Sequence, residues 1–290
     1  MRLTNRTRLL ITLLFTPSLL NAAASEDRGW SWSQSFHGTS NSAGIILKSN
    51  STATYDFNRA VAVYAGVPIY FARTNGIGNA YSGLLVSAGK SSSLRYSSDL
   101  LFTMPTGNAA GGFSTGHPTV DWTNTFSHSF TRVTPFASIG AANTISDTSF
   151  FVRPFSSKGV IAHFEAGSVI DVAPRVSIGA SGYGVQATGQ QEIISKVVEQ
   201  PSKSSQPAVL STVDNLVHGK NRAPAVFETQ QQTVGPASVA NDRGLSTWLT
   251  VRATPSTDFQ IGYSRSIAYH LDSLFFGVGF HIGHRSSVIN

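Results

Sequence analysis

The sequence contains no cysteine. A disulfide framework and a thiolate-ligated metal site are therefore both excluded, and the folded chain rests on packing and hydrogen bonding alone. Charge is sparse, since Asp, Glu, Lys and Arg make up only 12% of the residues. Long hydrophobic runs are lacking as well. Past the N-terminal segment, no stretch stays apolar for the roughly 18 residues that a membrane-spanning helix needs. The longest, residues 60–72, is broken by Gly66 and Pro68 and stops at Arg73. Mean hydropathy is nevertheless close to zero. Few charges, average hydropathy and no apolar run together describe a wall of alternating strands, with one face of each strand in lipid and the other in water.

The first residues read as an export address. Arg2, Arg6 and Arg8 form a basic start, Leu9 to Leu20 an apolar stretch interrupted by Pro17, and Asn21-Ala22-Ala23-Ala24 a small-residue cleavage site. The expected organisation is a signal peptide over 1–24 and a single β-barrel domain over 25–290. The formal charge of +6 falls to about +3 without the three signal arginines, which leaves 18 basic against 15 acidic residues. That is too mild to imply a nucleic-acid partner.

Period-two alternation is what the remaining chain offers in abundance. In residues 120–130, Trp122, Phe126 and Phe130 share one parity and Asp121, Thr123, Thr125, Ser127 and Ser129 the other, with Asn124 and His128 as exceptions. Val160, Ala162, Phe164, Ala166 and Ile170 alternate with His163, Glu165 and Asp171. Leu274, Phe276, Val278, Phe280 and Ile282 alternate with Gly277, Gly279 and His281, and Leu94, Tyr96, Leu100 and Phe102 with Arg95, Ser97, Asp99 and Thr103.

The links form a second regularity. Short ones near 58–59, 89–92, 131–132, 173–174 and 255–257 alternate with longer ones at 73–79, 105–117, 146–157, 187–243 and 268–272. Short periplasmic turns and long external loops produce this order in an outer-membrane barrel. Eleven strands are delimited this way, at 51–58, 60–72, 79–89, 93–104, 118–130, 132–145, 158–171, 174–187, 243–254, 257–267 and 272–283. An even strand number then requires a first strand within Trp30 to Lys48. The expected fold is an all-β, antiparallel, up-and-down transmembrane barrel of about 12 strands. The long loop at 187–243 is read either as unstructured or as carrying a short helix near the barrel mouth, because Ile193, Ile194, Val197 and Val198 have helical spacing.

Three segments carry a family likeness: Ala65-Gly66-Val67-Pro68-Ile69; Leu101-Phe102-Thr103-Met104-Pro105-Thr106-Gly107 followed by Gly111-Gly112-Phe113-Ser114-Thr115-Gly116; and Thr134-Pro135-Phe136-Ala137-Ser138-Ile139-Gly140. In these the chain resembles the outer-membrane proteins grouped as meta-pathway phenol-degradation-like. The resemblance implies a channel for hydrophobic or aromatic compounds. It supplies no catalytic or ligand-binding residue.

Catalytic patterns are weak. Gly112-Phe113-Ser114-Thr115-Gly116 has the letters of a nucleophile elbow, but that motif needs a strand before it and a helix after it, and here it lies in a glycine-rich loop. His163 and Glu165 stand two apart on one strand face, which suits a base and its partner or a metal pair, and equally suits two lumen-lining polar groups. The reading is a non-enzymatic barrel without cofactor or metal, first a passive channel with the loop 187–243 as its gate, alternatively a plugged structural or adhesion barrel. An outer-membrane hydrolase comes last. Its partners are outer-membrane lipids, the barrel-assembly machinery and a small hydrophobic ligand. The expected lumen-lining residues are Arg95, Asp99, Asp121, His163, Glu165, Asp171, Arg252 and His281. Their mixed signs favour a plugged or narrow lumen over an ion-selective pore.

Overall fold

The computed structural model describes residues 28–88, 94–145, 147, 152–198 and 225–283. The expected signal peptide and the tail after Gly283 lie outside these residues. Twelve strands form the wall: β1 (Gly29–Asn41), β2 (Gly44–Asn58), β3 (Val61–Phe71), β5 (Tyr81–Ala88), β6 (Leu94–Thr103), β7 (Thr119–His128), β8 (Val133–Ala142), β10 (Ile161–Ala173), β11 (Val176–Ala187), β14 (Asp242–Thr254), β15 (Thr257–Ser266) and β16 (Leu271–Gly283). Each pairs antiparallel with its neighbours, and β1 pairs with both β2 and β16, so the sheet closes on itself as a 12-stranded barrel. A three-residue strand β4 (Asn75–Ile77) extends the ladder beside the upper part of β3.

The expected first strand is present as β1, and its partner begins earlier than the sequence suggested. β2 starts at Gly44, because Ser42 and Ala43 alone make the turn, with Asn41 Oδ1 accepting from the Ala43 amide. The Gly44 backbone is left-handed (φ 136°), which glycine adopts without strain. One end of the barrel carries the other short links and both described chain ends, and the opposite end carries this two-residue turn and the loops. Three of the short links are preceded by register shifts, at Asp56/Asn58, Asp171/Ala173 and Arg252/Thr254. An extra residue there increases strand twist, which suits a tight reversal at a barrel rim.

The two faces are sorted as alternation requires. Ile45, Trp122, Phe164, Leu245, Ile261 and Leu274 are among the exposed apolar side chains, and the register places them all on the outer face. The expected outward aromatics Trp122, Phe126, Phe130, Phe164, Phe276 and Phe280 are exposed as well. At the turn end Trp30, Tyr55 and Phe57 are in contact in series, the first pair tilted and the second edge-on, with centroids 4.9 and 5.0 Å apart. Polar groups on this face satisfy one another: Gln34 bonds Ser49 and Ser51, Trp122 Nε1 donates to Ser98, and Tyr96 donates to Asn124.

Glycines within the wall have a specific use. Tyr64 lies over Gly83, Tyr81 over Gly66, Tyr183 over Gly244, Trp248 over Gly179 and Phe275 over Gly262, each pair being direct cross-strand partners on the inner face. A side chain at any of these glycines would overlap the ring. The rings therefore lie flat on the wall instead of standing across the lumen.

The loop 187–243 departs from the helical expectation. Its segment Gln190–Ser195 is a strand, β12, paired on one edge with β9 (Phe155–Lys158) and on the other with β13 (Gln232–Pro236). Helical spacing arose because Ile193, Ile194 and Val197 are all buried, so a strand covered on both faces leaves no alternation to read. The one described α-helix, α1, is the single turn Val226–Thr229.

Gly179→Ala should destabilise the barrel by about 1–3 kcal/mol through overpacking against Trp248, seen as earlier loss of the compact band on heating before electrophoresis. In a Trp248→Ala background the same substitution should cost less than half as much. Equal cost in both backgrounds would show that the ring contact is not the cause.

Candidate functional site

The candidate site is the lumen and the cap folded into its loop end. Residues from three loops make the cap. The small sheet β9-β12-β13 carries Phe155 and Ile193, α1 contributes Phe227, and the loop after β6 contributes Phe113. Phe155 and Phe227 stack with centroids 4.9 Å apart, and Tyr269 meets both edge-on at 5.3 Å. Phe113 stacks on the wall residue Tyr70 at 5.1 Å and 3°. These groups pack against inward-facing ends of the wall strands, so that Thr39, Ile46, Ile161, Leu271 and Phe275 are no more than 2% exposed.

Gly112 shows how tightly the cap is set. Its φ is 74°, and a side chain there would overlap the Ser195 carbonyl of β12. The Gly112 to Gly116 motif is thus a loop of the cap. Ser114 is buried and accepts the Gly116 amide, and β7 follows in place of the helix that a nucleophile elbow requires.

Charge fastens the cap to the wall. Asp147 accepts from Lys196 of the cap (2.8 Å) and from Lys48 and Tyr70 of the wall (3.1 and 2.7 Å). Arg153 of the cap lies 3.5 Å from Asp242 of β14, which also accepts from Tyr183 and Ser266. Burial pushes the Asp147 carboxyl up, but the ammonium groups of Lys196 and Lys48 and the hydrogen bonds from Lys196 and Tyr70 outweigh it. Its pKa ends well below the usual carboxylate range.

Beneath the cap the lumen is lined by hydroxyls and by a few charged groups. Tyr64 donates to both oxygens of Asp99 (2.8 and 2.9 Å), and Tyr81 meets Asn50 and Thr52. His163 Nε2 lies 3.0 Å from Asp121 Oδ1, to which Thr123 also donates. Phe136 and Trp248 form an aromatic ledge, with centroids 6.5 Å apart. Toward the turn end the wall opens. His281 and Asp258 are 3.2 Å apart, with side chains 46% and 41% exposed.

The register puts Arg95, Asp99, Asp121, His163, Glu165, Asp171, Arg252 and His281 on the inner face. His163 is brought to Asp121 on the next strand but one, across Gly140, and not to Glu165 on its own strand. Sequence reasoning missed Lys48, Asp56, Asp242 and Asp258. Asp258 was legible, since Asp258, Gln260 and Ser264 alternate with Phe259, Ile261 and Tyr263. Asp147, Arg153 and Lys196 left no signal, because their partners are remote in sequence. Among the described residues, no three His, Asp or Glu side chains gather as metal ligands.

No protein-family model and no curated protein sequence matches the chain, so the phenol-degradation-like resemblance stands on its three segments alone. Solved structures do match. The porin KdgM, in complex with disordered oligogalacturonate, aligns with a TM-score of 0.50 at 6% identity over 87% of this chain and 99% of the porin. An outer-membrane channel from Pseudomonas putida F1 aligns with a TM-score of 0.51 at 10% identity, over 92% and 99%. At such identities the likeness is one of architecture: the chain has the fold of the outer-membrane porins and channels.

Proposed function

We propose that the chain is a passive outer-membrane channel for small hydrophobic or aromatic compounds, with its loop end outside the cell and the cap as its gate. The observation that carries the channel part of this reading is the pairing of a polar, hydroxyl-lined lumen with a mouth filled by loops that charge holds in place, and the cargo class follows the sequence resemblance. The apolar outer face suits lipid, and the contacting aromatics Trp30, Tyr55 and Phe57 at the turn end suit an interfacial girdle. Phe136 and Trp248 offer an aromatic solute a surface inside the lumen.

The first test is conductance in planar bilayers of the intact chain, of a variant lacking residues 190–240, and of the double variant Asp147→Asn, Arg153→Gln. Removing one partner of a buried ion pair strands the other charge at a cost of about 3–5 kcal/mol. The expected result is a rarely open intact protein and higher open probability in both variants. Silence in all three, with heat-modifiable mobility retained, would assign the barrel to a structural or adhesive role.

Acid should act on the same contacts. The folded Asp147 carboxyl lies below its unfolded value of about 4, so its pairing strengthens the cap above that pH and is lost as pH falls below it. Open probability should therefore rise on acidification below about pH 4. Asp147→Asn should open at neutral pH and show a flatter response.

A further inference from the structure

Charge is not distributed evenly between the cap level and the chamber beneath it. At the cap, Asp147 sits between two lysines and Asp242 faces Arg153. In the chamber, the inner faces of the wall strands carry Asp56, Asp99, Asp121, Glu165, Asp171 and Asp258 against the guanidinium groups of Arg95 and Arg252. Among the described residues beneath the cap, six carboxylates thus oppose two permanent cations on the inner face. Hydroxyls support two of these carboxylates: Asp99 is held by Tyr64 and Asp121 by Thr123, with the His163 ring 3.0 Å from Asp121. Arg59, Arg132 and Arg175 in the short links are exposed at the turn-end rim, as are Asp171, Arg95 and Arg252, and bulk salt screens them alike, which leaves Asp56, Asp99, Asp121, Glu165 and Asp258 farther inside. Low-dielectric walls focus what remains inside.

We infer that the chamber beneath the cap holds a negative field that admits cationic solutes over anionic ones. It follows that, among small aromatic compounds, those bearing an ammonium group are the favoured cargo. The statement about cargo rests on the channel reading above, whereas the statement about the field does not. The field belongs to the whole chamber and is not a binding site. Aromatic rings lying flat on the wall add a second attraction of the same sign, since a ring face favours a cation.

The native chain lacks cysteine, so one introduced thiol reports the chamber alone. Thr125 of β7 faces the lumen beside Ser97 and Ser138, between the strands of Asp99 and Glu165. The experiment takes the full-length Thr125→Cys protein in detergent. It compares modification rates by a trimethylammonium and a sulfonate methanethiosulfonate, each normalised to its rate with a small free thiol. A potential of about one kT enriches one sign and depletes the other, for a ratio of about 7 in favour of the cation. That ratio should fall toward one with added salt, and to about 2 or less when Asp99→Asn, Asp121→Asn and Glu165→Gln are combined.

A ratio at or below one in low salt overturns the inference. So does a ratio unmoved by the three substitutions. If Thr125→Cys does not fold, Gln260→Cys on the inner face of β15 gives the same reading from another part of the wall. A protein that stays silent in bilayers but keeps the ratio would refute the channel and leave the field standing. A conducting protein with a ratio of one would do the reverse.

Discussion

Everything in this molecule depends on the ladder between the first and last wall strands. β1 and β16 are paired from Ser31↔Gly283 to Asn41↔Ser273, and without them the sheet would present two open edges. In hydrocarbon an unpaired backbone amide has no water to fall back on, so a closed sheet is the arrangement that strands can adopt there. Closure also fixes the sidedness of the wall residues, because in a paired strand the faces alternate, interrupted here only by the three register shifts near the turns. The outer belt of Trp122, Phe164 and Phe276 and the inner row of Asp121, His163 and Gly277 follow from that one constraint.

Alternation made the wall legible in the sequence. It gave the strand directions, the inner set from Arg95 to His281 and the need for a strand before residue 51. What it could not give was anything that depends on which residue lies opposite on the next strand. Gly179 reads as a small residue in a small-residue strand, and only the register shows that it is the seat of the Trp248 ring. The pairing of His163 with Asp121 across Gly140 was hidden for the same reason. The strand β12 was missed because burial on both faces erases the period that identifies a strand.

Wall and cap are built on different physics. The wall is held by a continuous ladder of backbone hydrogen bonds that no side chain can break singly. Among the described residues the cap has nine short-strand pairings of its own, and it is joined to the wall by ring stacking and by the ion pairs at Asp147 and Asp242. Buried ion pairs contribute little net stability but are costly to break on one side.

The distribution of the cap along the chain bears on the order in which the protein forms. Apart from the closing pair, most wall contacts join strands that follow one another in the sequence, so the hairpins can add one after another with short loop closures. Phe113, Asp147, Phe155, Ile193 and Phe227 come from loops spread over more than a hundred residues, and they rest on Thr39, Ile46 and Leu271 from both ends of the chain. That surface does not exist until the ring is closed. The cap is therefore the last part to condense, and its presence on a given molecule records that the twelve strands have already found their partners.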